Sequence, residues 1–163
     1  MKQIFKLYLA LLTVAFLLFS FTEFTENVSF KCLIQLKNYT GEGAYLVVSI
    51  LDENGKYDQT LYVQGKDKEW YHEIFEWWQF YGKRRTDIDS ISGATISGGE
   101  RAICILNIPA EKMNKGYTIR FETAVEDKGY YAADVEFLLT SENLKSKKEG
   151  SGFIRYIRFI PQL

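Results

Sequence analysis

Residues 87–99 run Asp-Ile-Asp-Ser-Ile-Ser-Gly-Ala-Thr-Ile-Ser-Gly-Gly. The segment gathers the hydroxyls of Ser90, Ser92, Thr95 and Ser97 with the carboxylates of Asp87 and Asp89. Gly93 and Ala94 leave the Thr95 backbone and hydroxyl sterically open. A hydroxyl among such small residues is accessible to a modifying enzyme, and carboxylates close by suit a metal that activates phosphate transfer. Read by composition alone, the same stretch is an ordinary turn between a helix and a strand.

Little other chemistry is available. His72 is the single histidine and there are two cysteines, which excludes multi-histidine metal sites, zinc frameworks and iron–sulfur clusters. No Cys-x-x-Cys-His occurs, so c-type haem attachment is excluded too. A hydrolase triad has nothing to be built from, because His72 lies off the apolar stripe of its segment and reads as a surface residue. The formal net charge of −1 and pI near 5.9 argue against a nucleic-acid partner, which requires a basic face.

A chain of 163 residues, 47% hydrophobic and 25% charged, is long enough for one domain with a real core. Its positioning elements are mostly strands. Phe30, Cys32, Ile34 and Leu36 alternate with Lys31, Gln35 and Lys37 over 30–37. The apolar run 44–51 precedes Asp52-Glu53-Asn54-Gly55, a hairpin signal, and 57–63 returns as its partner. Further strands are expected at 101–108, 117–126, 131–139 and 153–160, with 145–152 a polar loop. The fold class that follows is mainly β: an antiparallel, immunoglobulin-like β-sandwich.

One amphipathic helix interrupts the strands, directly before the 87–99 loop. Over 67–81, Trp70, Ile74, Trp77 or Trp78, and Tyr81 recur at helical spacing. Asp67 is the expected N-cap and Gly82 the expected stop, followed by Lys83, Arg84 and Arg85. The aromatic stripe either packs against a sheet or offers a tryptophan face to a flat ligand.

Lys2 and Lys6 precede an apolar run over 7–21, which has the length of a signal peptide and falls short of the ~20 residues that span a bilayer. Residues 1–20 are therefore expected to be a signal peptide or an N-terminal anchor, and 21–163 one exported, periplasmic or extracellular domain. Without residues 1–20 the chain has 18 basic against 21 acidic side chains. In an oxidising compartment Cys32 and Cys104 either pair or stay buried as thiols; the sequence leaves both open.

Asp89-x-x-Ser92-Gly93-Ala94-Thr95 resembles D-x-x-[ST]-G-A-T, the target motif of FAD:protein FMN transferases. Around it, Asp52-Glu53-Asn54-Gly55-Lys56-Tyr57, Thr60-Leu61, Trp77-Trp78, Gly116-Tyr117-Thr118 and Phe121-Glu122-Thr123-Ala124 are similar to a family of predicted periplasmic proteins of unassigned function. Where many members have Trp-Asp-Gly after the motif, this chain has Ile105-Leu106-Asn107. The resemblance implies FMN held through a phosphoester on Thr95, with Asp89, Ser92, Gly93 and Ala94 forming the attachment element. It also implies two partners, the FMN transferase and a transmembrane flavin or haem reductase, such as the PepSY-type reductases linked to iron.

On that reading Thr95 is an attachment point, no catalytic residue is required, and the protein relays electrons to an external acceptor. Trp70, Trp77 and Trp78 are the candidates for stacking on the ring, and Arg84 and Arg85 for pairing with the flavin phosphate, against a solvated turn. The competing expectation is a cofactor-free secreted β-sandwich that serves as a binding module, its aromatic helix packed inside.

Overall fold

The computed structural model describes residues 26–65, 67–84 and 92–160. The expected signal segment, 1–20, lies outside them. Among the described residues nine strands follow in order: β1 (Asn27–Leu36), β2 (Tyr45–Leu51), β3 (Tyr57–Gln64), β4 (Ser92–Gly93), β5 (Arg101–Pro109), β6 (Thr118–Val125), β7 (Gly129–Leu138), β8 (Lys148–Glu149) and β9 (Ile154–Ile160). One α-helix, α1 (Phe75–Arg84), separates β3 from β4.

The strands form a four-stranded sheet in the order β5-β1-β9-β8 and a five-stranded sheet in the order β4-β3-β2-β6-β7. All neighbours are antiparallel except β3 and β4. Cys32, Ile34 and Leu36 of β1, Leu106 and Ile108 of β5 and Ile157 of β9 meet Leu46, Val48, Ile50 and Phe121 of the other sheet in one core. This is the expected β-sandwich. Its order is not that of an immunoglobulin domain, in which the first strand pairs with the second. Here β1 lies between β5 and β9, and β2 belongs to the opposite sheet.

Strand β2 is buried along its whole length because both its faces are covered. Leu46, Val48 and Ile50 face the inter-sheet core, whereas Tyr45 and Val47 pack under the helical segment with Tyr71, Ile74 and Trp77. The molecule thus has three layers: sheet, sheet, helix. An unbroken apolar run is the sequence consequence of a strand with no solvent face. Among the described residues nothing covers the outer face of the four-stranded sheet in this way, and Ile103 and Ile105 of its edge strand β5 are exposed.

The β2–β3 hairpin closes as the residue types demand. The Asp52 carboxylate accepts the backbone N–H groups of Asn54 (2.8 Å) and Lys56 (2.9 Å), and Gly55 takes φ +75°. These contacts hold the Asp52 carboxyl below its ordinary range.

The helical segment differs from expectation in three ways. Lys68–Glu73 is a 3-10 helix, the chain bends at Ile74, and only Phe75–Arg84 is α-helical. Asp67 makes no side-chain cap. The α-helix also runs through Gly82 to Arg84. Outside the helical segment, the expected 145–152 loop also differs, as Lys148–Glu149 pairs with β9.

Candidate functional site

Ser92 and Gly93 form β4, which runs parallel to the end of β3 with Val63 opposite Ser92 and Gln64 opposite Gly93. The Gln64 side chain donates from Nε2 to the Ala94 carbonyl, and Gly65 N–H donates to the Gly93 carbonyl at 2.6 Å. Past Thr95 the chain is tied again, by a reciprocal backbone pair between Ala44 and Ile96 at 2.7 and 3.2 Å. Tyr39 donates its hydroxyl to the Ile96 carbonyl at 3.2 Å. Further along, Gln35 Nε2 donates to the Gly99 and Glu100 carbonyls at 2.8 and 3.1 Å.

The segment is therefore fastened on both sides of a short exposed stretch, Ala94–Thr95. Two glycines permit this path. A Cβ on Gly93 would lie 2.7 Å from the Tyr62 hydroxyl, and a Cβ on Gly43 would lie 2.7 Å from Thr95 Oγ1. The arrangement presents one secondary hydroxyl on a tethered backbone at the edge of the five-stranded sheet. Chemically, the Thr95 hydroxyl is an alcohol on an exposed residue, with its oxygen lying beside Gly43.

The remaining expected site residues fall elsewhere. Trp78 is half-buried on α1, with its ring 5.5 Å from that of Tyr81. Trp77 is fully buried, stacked on Tyr81 at 4.9 Å and edge-on to Tyr71, with its indole N–H donated to Thr60 Oγ1 at 2.8 Å. Stacking on a ligand is thus corrected for Trp77: it is a core residue pinning the helix to β3. Trp70 is half-buried beside it in the same cluster. Arg84 ends α1. Asp87, Asp89 and Arg85 lie outside the described residues. His72 is exposed, as expected.

A second polar centre lies between sheet and helix, and the sequence did not point to it. Glu122 of β6 is fully buried and accepts the hydroxyls of Tyr57 and Tyr130. Tyr130 in turn accepts the Glu76 backbone N–H at 3.1 Å, linking the carboxylate to the first turn of α1. Arg120 donates to Glu76 of the helix at 2.9 Å and to Glu136 of β7. Burial pushes the Glu122 carboxyl up to about 7, against the lowering effect of the two tyrosines and Arg120. The same burial and the adjacent carboxylate keep both tyrosine hydroxyls protonated.

Among the described residues, no group of three or more His, Cys, Asp or Glu side chains is placed to hold a metal ion. No helix among them is long and apolar enough to cross a membrane.

Sandwich, covering helix and edge loop define a mainly β domain of two packed sheets with an exposed threonine at one sheet edge. The family model described as "Predicted periplasmic protein (DUF2271)" matches residues 27–156, and the chain belongs to that family. The match spans β1 into the first residues of β9 and agrees with the export expected from the N-terminus. No curated protein and no solved structure matches the chain.

Proposed function

We propose that the chain is an extracytoplasmic carrier of FMN, joined through a phosphoester to Thr95, that relays electrons between a membrane reductase and an external acceptor. The observation that supports this reading is the exposure of Thr95 within the D-x-x-[ST]-G-A-T pattern, on a backbone tied on both sides. A transferase needs such a hydroxyl, and a carrier needs its cofactor fixed at a tethered point. When bound, the flavin would supply one- and two-electron chemistry.

The residues themselves have simpler tasks. Thr95 Oγ1 provides the bond, Gly93 and Ala94 leave room for a transferase, and Gln64 and Ala44 hold the backbone against displacement. Of the two adjacent tryptophans on α1, Trp78 is the one with exposed surface to offer a ring. Arg84 and Arg85 are proposed to neutralise the phosphate.

The second reading is a cofactor-free β-sandwich binding module. The burial of Trp77 favours it, since the aromatic stripe serves the core as that reading requires. It also asks for nothing beyond a periplasmic domain, which the family match supports, with the two-sheet fold seen here.

Co-expression with an FMN transferase, followed by intact-mass measurement beside a Thr95→Ala control, separates the two. An FMN-sized increment with yellow colour, absent from the variant, is the expected result. An unmodified mass in both chains overturns the flavin reading and leaves the binding module.

A further inference from the structure

Cys32 of β1 and Cys104 of β5 are register partners across an antiparallel ladder. Residues directly opposite in such a ladder have Cα atoms roughly 4.5–5.5 Å apart, inside the window of about 4.4–6.8 Å that a disulfide accepts. Both side chains point to the same face, into the inter-sheet core, where they are 0% and 4% exposed. They are free thiols in this structure, with Cys104 Sγ 3.8 Å from the Cys32 carbonyl oxygen. The neighbouring Cys104 thiol and then burial raise the Cys32 thiol well above its ordinary range. Once packed, the pair is therefore poorly reactive, and any chemistry on it belongs to an open state. Strand β5 is the edge of its sheet, so its opening uncovers Cys104 without unravelling the other strands.

We propose that Cys32 and Cys104 are a redox pair that closes to a cross-strand disulfide in the extracytoplasmic compartment. The oxidant is a disulfide, carried by a thiol oxidase or a small molecule. One cysteine thiolate attacks it, a mixed disulfide forms and one thiolate leaves. The second cysteine thiolate then attacks the mixed disulfide, forming the Cys32–Cys104 bond and releasing the other thiolate. The chain gives up two electrons and two protons, and the oxidant departs reduced, as a dithiol from an oxidase or as two thiols from a small-molecule disulfide. The bond would fasten the edge strand to β1 only three positions before Gln35, which holds the Gly99 and Glu100 carbonyls behind the Thr95 loop. This inference stands apart from the flavin reading.

The test uses the full chain exported to the periplasm of a bacterial host and purified without reductant. Its thiols are alkylated in denaturant, before or after reduction, and the intact mass is read. The expected result is no alkylated cysteine before reduction and two after it, in a monomeric chain. Reduction should also lower the unfolding temperature of the native chain but not that of a Cys32→Ala/Cys104→Ala variant. Two alkylated cysteines before reduction, or a disulfide joining two chains, overturns the proposal. The alkylation count is read on the native chain, so it decides the matter even where the double variant does not fold. Flavin on Thr95 adds the same mass to every arm and leaves the count unchanged.

Discussion

Gly43 and Thr95 meet so closely that a methyl group on the first would lie 2.7 Å from the hydroxyl oxygen and 2.8 Å from the Cβ of the second. The glycine borders the Ala44–Ile96 bridge that ties down the exposed hydroxyl. The presentation of Thr95 therefore depends on a residue some fifty positions earlier, before β2 begins.

Gly43→Ala should destabilise the fold by about 1–3 kcal/mol, the usual cost of forcing a methyl into a filled space. Thr95→Gly removes both clashing atoms, so the double variant should recover most of that loss. Urea denaturation of the two single variants and the double variant measures the coupling. Additive losses would show that the two residues do not press on each other.

Glu122 makes stability depend on pH. Its folded value of about 7 lies above that of an unfolded glutamate, near ~4.3, so the folded state holds a proton the unfolded state has lost. Between those values stability should fall as pH rises, by on the order of 3 kcal/mol at most, with little change from this group on either side. Glu122→Gln should flatten that slope. Denaturation midpoints at a series of pH values from 4 to 8 check it, and an unchanged slope in the variant would assign the effect elsewhere.

The two adjacent tryptophans should behave differently. Trp77→Ala empties a fully buried site and strands the Thr60 hydroxyl, for a loss of roughly 3–5 kcal/mol. Trp78→Ala, at a half-buried position, should cost less than about 2 kcal/mol. If the chain carries FMN, Trp78→Ala should also shift the flavin absorbance or fluorescence, while Trp78→Phe restores it. Equal losses from both alanine variants would contradict their placement.

Ser49 offers a gain. Its hydroxyl is buried in β2 without a hydrogen-bond partner among the described residues. Replacing an unpaired polar atom with none removes a desolvation cost, so Ser49→Ala should be neutral or stabilising by up to about 1 kcal/mol. A clear fall in the denaturation midpoint would mean that the hydroxyl has a partner in solution.

Most of the long strands and the β2–β3 hairpin were legible in the sequence, whereas the two-residue strands β4 and β8 were not. Alternation with period two marks β1, and the Asp52–Gly55 turn closes one hairpin through contacts that span only a few residues. Such signals are legible because they are local. The same locality explains the errors. Helical spacing over 67–81 does not reveal the bend at Ile74, which arises where the segment settles onto Tyr45 and Val47. Arg120 and Glu122 alternate with Ile119 and Phe121, a pattern that carries no mark of a covered polar face. The helix covers that face, which buries Glu122 and gives it two tyrosines as partners. Only the tertiary structure decided the sheet order, the choice of Trp77 over Trp78 for the core, the pairing of Cys32 with Cys104 and the closeness of Gly43 to Thr95. Each joins residues distant in sequence, or selects between neighbours, through packing that no local pattern encodes.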